Sequence, residues 1–200
     1  MSSNIYPIHS QTLTRAEREK LLGQRGVMIW MTGLSGSGKS TIAIGVEREL
    51  ASRGILSYIL DGDNIRSGIN SNLGFSVADR TENIRRIAEV GKLFVETGLV
   101  TLACFVSPTR EIRAMARSIV GEADFLEVYV STPLAECERR DVKGLYARAR
   151  KGEVKDFTGI SSPFEPPENP ALSLDTSRLR LEESVAKVVE MVMARARTRP

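Results

Sequence analysis

Eight consecutive residues constrain this chain more than any others: Gly33-Leu34-Ser35-Gly36-Ser37-Gly38-Lys39-Ser40. They satisfy G-x-x-x-x-G-K-[ST]. The glycines let the backbone curl until successive N–H groups face one anion, and the helix that follows adds the positive end of its dipole. Such a loop works only between a strand and a helix, and both flanks are present. Val27 to Thr32 is a short apolar run bounded by glycines, which predicts a buried strand. Lys39 to Ser52 predicts a helix that Gly54 stops. Lys39 is expected to reach the β- and γ-phosphates of a nucleotide and the Ser40 hydroxyl to sit on Mg²⁺. The stretch from Gly33 through Ser40 to Thr41 is the expected ATP-binding segment.

The rest of the chain alternates in the same way. Thr14-Arg15-Ala16-Glu17 is a capping box opening a short helix to about Leu22. Ile55 to Leu60 predicts a second strand. Ser76-x-x-Asp79 caps a long helix to about Thr97, with Ile84, Ile87, Ala88, Leu93 and Phe94 at near-helical spacing. Leu99 to Val106 predicts a third strand, Pro108 the start of a helix, and Phe125 to Val130 a fourth strand. Thr132-Pro133 predicts a helix with proline at its first position. Lys143 to Phe157 is charged and amphipathic, four of the eight prolines between Pro163 and Pro170 mark an irregular stretch, and Leu181 to Ala196 predicts a closing helix. The expected fold is α/β, a mainly parallel, doubly wound sheet with helices on both faces. The expected division is an N-terminal arm, 1–24, and a phosphate-loop domain, 25–200.

Composition excludes several classes. The net charge of +3 equals the contribution of Arg195, Arg197 and Arg199 alone, so the chain lacks the broad basic face of a nucleic-acid module. Two cysteines, Cys104 and Cys137, and one histidine, His9, cannot make a metal cluster at their spacings. No run is long and apolar enough to span a membrane, and Met1 to Ser10 lacks the pattern of a signal peptide. A soluble, cytoplasmic protein is expected.

Three uses of the phosphate loop are distinguishable. A guanine-reading N-K-x-D is absent, which disfavours a GTPase switch. A motor usually has an apolar strand ending in Asp, whereas the third expected strand ends Phe105-Val106-Ser107. The strand that ends in acid is the second, at Leu60-Asp61-Gly62-Asp63. Loops at the carboxyl ends of adjacent parallel strands converge on one crevice, so Asp61 and Asp63 are expected near the γ-phosphate. One could accept a hydroxyl proton while the pair supports hydrated Mg²⁺. That suits a kinase for a small hydroxyl-bearing acceptor.

Further motifs carry a family resemblance. Asp61-Gly62-Asp63-Asn64-Ile65-Arg66, Asn72-Leu73-Gly74-Phe75-Ser76 and Asp79-Arg80-x-Glu82-Asn83-Ile84-Arg85-Arg86 closely resemble adenylylsulfate kinases. So do Ser107-Pro108-x-Arg110, Lys143-Gly144-Leu145-Tyr146 and Phe157-Thr158-Gly159-Ile160. The resemblance runs from about Arg25 to Thr176, with a looser similarity of the arm to fungal-type enzymes. It implies a phosphate-loop kinase with a mobile lid at about 138–160, working as a homodimer with ATP and Mg²⁺. The implied reaction moves the γ-phosphoryl of ATP to the 3′-hydroxyl of adenosine 5′-phosphosulfate. In the family, aromatics matching Phe75 and Phe157 sandwich the acceptor's adenine, and the residue matching Asn83 hydrogen-bonds the acceptor. Arg66 and Arg80 can offer forked donors to its anionic oxygens. Lys143 is expected in the acceptor site, and the lid's Arg139, Arg140, Arg148, Arg150 and Lys151 supply further positive charge.

Departures from the family pattern fall at Ser67, Thr109 and Val142, which bear on lid stiffness and pocket packing rather than on the reaction. Nothing resembles a fused sulfurylase domain, so a stand-alone kinase, or a kinase domain detached from a longer protein, is expected. Some relatives are described with a phosphoserine at the position of Ser107. A serine needs a neighbouring base to act as a nucleophile; the only histidine lies in the arm, and Asp63 could serve but the acceptor hydroxyl competes for it. Ser107 is therefore expected to be a hydrogen-bonding residue in the crevice, with transfer direct and in line. Two alternatives remain: a related nucleoside, shikimate or gluconate kinase, and a nucleotide-binding subunit with a dead site.

Overall fold

In the computed structural model, which describes residue 4 and residues 6–197, five parallel strands form one sheet. Arg199 of the expected basic tail lies outside the described residues. In chain order the elements are α1 (Arg15–Leu22), β1 (Val27–Thr32), α2 (Lys39–Ser52), β2 (Ser57–Asp61), α3 (Gly62–Ser67) and α4 (Val77–Glu96). They continue with β3 (Val100–Cys104), α5 (Arg110–Val120), β4 (Phe125–Val130), α6 (Leu134–Arg140), α7 (Leu145–Arg150), β5 (Leu172–Leu174) and α8 (Leu181–Ala196). The strand order is β2-β3-β1-β4-β5, with every pair parallel.

β1 lies at the centre and is buried along its whole length. Its side chains alternate between two apolar layers. Val27, Ile29 and Met31 pack with Ile42, Val46 and Leu50 of α2 and Val188, Val189 and Val192 of α8. Met28 and Trp30 pack with Ile84 and Ile87 of α4 and Ile112 and Ala116 of α5. Each large side chain so buried contributes about 1.5–3 kcal/mol. Gly91 lets α4 approach closely, since a Cβ there would stand 2.1 Å from Met28 Cε.

Several boundaries move for local reasons. The second strand begins at Ser57 rather than Ile55, because the Ile55 N–H closes the end of α2 on Leu50 O (2.9 Å) with Gly54 left-handed at φ 75. The third strand is trimmed to Val100–Cys104. Thr109, not Pro108, caps the next helix, and Pro133 stands one position before the first helical residue. Among the elements not foreseen are α3 and β5. Asp61 accepts the N–H of Asp63 and caps the short helix α3. Strand β5 is only three residues long, too short for a periodic signal. The capping box at Thr14 and the Ser76 cap form as expected. Helix α1 is held to the sheet by Arg15, which pairs with Asp124 and donates to Gly26 O (2.9 Å).

Candidate active site

At the carboxyl ends of β1, β2 and β3 lies a cleft of about 410 Å³. One end is the phosphate loop. Gly33, at φ 148, could not carry a Cβ, which would fall 2.5 Å from Val130 O. The loop then enters α2, where Lys39 is buried. Its ammonium donates to Gly33 O and Leu34 O, both at 2.8 Å, so it braces the loop from inside. Burial pushes its pKa down to about 8. Ser40 Oγ donates to Asp61 Oδ2 at 2.6 Å, and Asp61 Oδ1 accepts the N–H of Asp63 at 3.0 Å. An exposed hydroxyl and carboxylate in contact are hard oxygen donors of the kind Mg²⁺ takes alongside waters and phosphates. Among the described residues no group of three or more His, Cys, Asp or Glu side chains is placed to hold a metal ion.

The other end is built by α3, α4 and the segment after α7. Phe75 is 65% exposed, and the Arg66 guanidinium lies 4.4 Å from its ring centroid. Arg66 Nη1 also donates to Gly74 O at 2.9 Å. Arg80 joins the two sides of this end, donating to Phe75 O (2.8 Å) and to Thr158 Oγ1 (2.9 Å). Burial lowers the pKa of both arginines. Phe157 meets the Tyr146 ring edge-on at 5.0 Å, and Tyr146 OH donates to Ser35 O at 2.9 Å. That contact ties the aromatic end back to the phosphate loop.

Of the expected catalytic, ATP-binding, metal and acceptor-binding residues, all but Gly33, Leu34 and Ser37 line the cleft, whereas Arg139, Arg140, Arg148, Arg150 and Lys151 do not. Leu34 faces a separate shallow hollow with Leu134 and residues 159–164. Ser37 is buried, and its carbonyl accepts from Thr176 Oγ1 at 2.9 Å.

Ser107 reaches the cleft but turns its hydroxyl inward. It accepts the indole N–H of Trp30 (3.0 Å) and donates to Thr32 Oγ1 (3.1 Å), which donates to Val106 O (2.8 Å). Its backbone is left-handed, at φ 38. The buried Arg113 grips that turn, donating to Ser107 O (2.8 Å) and Glu165 O (2.7 Å) while paired with Glu127. Arg113 was not anticipated, since its position on α5 looks like any solvated helix arginine. Cys104 lines the cleft as well, and burial pushes its thiol up to about 12, which favours the protonated form.

The charged stretch from α6 to β5 is less cationic than its composition suggests. Arg139 pairs with Glu136, Arg150 with Glu138, and Arg148 with Glu153. Two cations turn inward. Lys143 pairs with Asp63 across the cleft. Arg140, while also paired with Glu136 (2.8 Å), donates to Thr176 Oγ1 (2.7 Å) and Thr176 O (2.9 Å), beside the phosphate loop. Asp141 caps α7, accepting the N–H groups of Tyr146 (3.0 Å) and Ala147 (2.9 Å), which holds Lys143 in the preceding turn. Thr176 and Asp141 carried no sequence signal, because each acts through a neighbour distant in the chain or through its own loop.

Comparison with known proteins adds a specific likeness. Residues 25–175 match the family model described as adenylylsulphate kinase. A protein of Phocaeicola vulgatus called adenylyl-sulfate kinase is 70% identical over 190 residues, 95% of this chain and 93% of that one. A solved structure of the Mycobacterium tuberculosis APS kinase in complex with AMPPNP and APS superposes with a TM-score of 0.82 at 50% identity, covering 84% of this chain and 98% of the other. A hexameric APS kinase from Thiobacillus denitrificans superposes with a TM-score of 0.63 at 29% identity, covering 86% of this chain and 30% of its own.

Proposed function

The chain belongs to the adenylylsulphate kinase family, and we propose that its cleft performs that family's reaction by direct in-line transfer. It moves the γ-phosphoryl of ATP to the 3′-hydroxyl of adenosine 5′-phosphosulfate, giving 3′-phosphoadenosine 5′-phosphosulfate and ADP, a step of sulfate assimilation. The observation that carries the residue assignment is the union, in one cleft, of an anion-binding loop and an aromatic, arginine-rich end.

ATP takes the loop from Gly33 to Thr41. Its phosphates replace the loop carbonyls as partners of Lys39, whose charge then acts on the group in flight. Ser40 and Asp61, with Asp63 beside them, would hold Mg²⁺, which supplies charge neutralisation to the phosphates. The acceptor lies between Phe75 and Phe157, with Arg66 and Arg80 on its anionic oxygens and Asn83 as a further hydrogen-bonding partner. Asp63 takes the proton of the 3′-hydroxyl as that oxygen attacks. For this Lys143 must leave Asp63, and the incoming phosphates offer it a stronger partner. Residues about 138–160 act as a lid that closes over both substrates and excludes water, on a domain spanning 25–200 with the arm 1–24 before it. Ser107 contributes shape and hydrogen bonding, because its hydroxyl already serves Trp30 and Thr32 and no base adjoins it among the described residues.

The working unit is a homodimer, as the resemblance suggests, and the cytoplasm is the compartment expected from the sequence. No described helix is long and apolar enough to cross a membrane. The test is product identification with labelled γ-phosphate and a panel of hydroxyl acceptors. Label on the 3′-oxygen of adenosine 5′-phosphosulfate is expected, and preferential labelling of a sugar, shikimate or a nucleoside would overturn the assignment.

A further inference from the structure

The acceptor end of the cleft holds two buried asparagines, and the reaction as described uses only one. Asn70, in the turn after α3, is fully buried, whereas Asn83, on α4, is 5% exposed and lines the cleft. An asparagine amide fits either way round, with its oxygen or its NH₂ toward a given neighbour, so the neighbours decide. Here two neighbours have fixed polarity. Arg86 Nη1 can only donate, and it lies 3.4 Å from Asn70 Oδ1 and 2.8 Å from Asn72 Oδ1. The main-chain carbonyl of Asn83 can only accept, and it lies 3.4 Å from Asn70 Nδ2. Both constraints turn the oxygen of Asn70 to Arg86 and its NH₂ to Asn83. Asn70 Nδ2 accordingly donates to Asn83 Oδ1 at 3.0 Å. A reversed Asn83 would set two NH₂ groups face to face beside a fully buried residue, leaving donors without acceptors.

We infer that Asn70, oriented by Arg86, is a positioning residue that fixes Asn83 as a hydrogen-bond donor toward the acceptor nucleotide. The substrate atom opposite Asn83 is then a lone-pair atom, an oxygen or a ring nitrogen, and not a hydroxyl proton or an exocyclic amine. With Arg66 and Arg80, which also only donate, this end presents three donor side chains to a ligand rich in acceptor oxygens. The inference rests on the assignment of this end to the acceptor.

Asn70→Asp is nearly isosteric and exchanges the inner donor for an acceptor, so Asn83 must turn its NH₂ inward and show its oxygen to the cleft. The KM for adenosine 5′-phosphosulfate should rise about tenfold while the KM for ATP stays within about twofold. Asn83→Asp, which keeps an oxygen toward Asn70 but puts a second one in the cleft, should raise the same KM at least as much. A folded Asn70→Asp enzyme with unchanged acceptor KM, beside a raised KM in Asn83→Asp, overturns the positioning role and leaves the acceptor site standing. An unchanged acceptor KM in both variants overturns the site assignment and the inference with it. Equal rises for ATP and acceptor mark a structural role only and also overturn it. Should Asn70→Asp not fold, the side-chain NH₂ resonance of Asn83 in the wild-type protein decides. It should shift on saturation with adenosine 5′-phosphosulfate and not with ATP, and no shift overturns the inference.

Discussion

Replacing Ser107 by alanine separates stability from catalysis. The serine is 2% exposed, and its Oγ is the acceptor for the indole N–H of the fully buried Trp30, at 3.0 Å. Alanine leaves that N–H facing a methyl group. A buried donor stripped of its acceptor costs about 1–3 kcal/mol. Thr32 loses an incoming hydrogen bond but keeps Val106 O as its own acceptor at 2.8 Å, so it adds little. A cost of about 2 kcal/mol in a chain of this length lowers Tm by roughly 4–8 °C. Trp30→Phe removes the donor instead, at a separate cost in packing against Phe105 and Phe125, whose rings stand 5.6 and 5.5 Å away. In the double mutant the orphaned donor is absent, so the cycle should return a coupling of about 1–2 kcal/mol. Turnover of Ser107→Ala should stay within about tenfold of wild type, because direct transfer asks only for positioning and charge stabilisation and Arg113 still holds the main chain of the turn. Urea unfolding followed by circular dichroism gives the stabilities, and transfer of a chiral γ-phosphoryl group should invert configuration at phosphorus. An unchanged Tm in Ser107→Ala would refute the buried-donor reasoning. A folded, inactive Ser107→Ala enzyme, together with net retention in the wild type, would establish a phosphoserine route.

Three other expectations can be checked directly. Lys39→Ala should cut turnover about a hundredfold or more with the fold intact. Burial holds the folded-state amine at about 8 against an ordinary 10.5, so the unfolded chain binds more protons between those values. The stability of the wild type relative to Lys39→Ala should therefore rise as pH climbs through that window, and parallel Tm curves would contradict it. Arg66→Ala and Phe75→Ala should weaken adenosine 5′-phosphosulfate about ten- to a hundredfold and leave ATP little changed, read from separate KM titrations; equal losses for both nucleotides would contradict the division of the cleft. Native mass spectrometry at micromolar protein should give two chains, and a fully active monomer would sink the dimer.

The sequence was most legible where chemistry and geometry are both local. The loop from Gly33 to Ser40 needs only glycines, a lysine and the adjoining strand and helix, all between Val27 and Ser52. The Thr14 and Ser76 caps, α2, α4, β4 and α8 followed from side-chain-to-backbone bonds and periodicity of the same short range. The short elements did not, because α3 depends on Asp61 serving as a cap as well as a cleft acid, and β5 is defined by pairing with β4.

What the sequence by itself determined is the set of reactive types and their order along the chain: phosphate loop, acid pair, arginines, aromatics. Only the tertiary structure decided which way those groups point and which are already engaged. It turned the hydroxyl of Ser107 to Trp30, set Lys143 on Asp63, and paired Arg139, Arg148 and Arg150 with acids of their own segment. It also recruited Asn70, Arg113 and Thr176, whose partners lie 13, 52 and 139 positions away. Hydrogen-bond direction depends on the full set of neighbours around a group, and for these residues folding supplies neighbours that one-dimensional spacing does not contain.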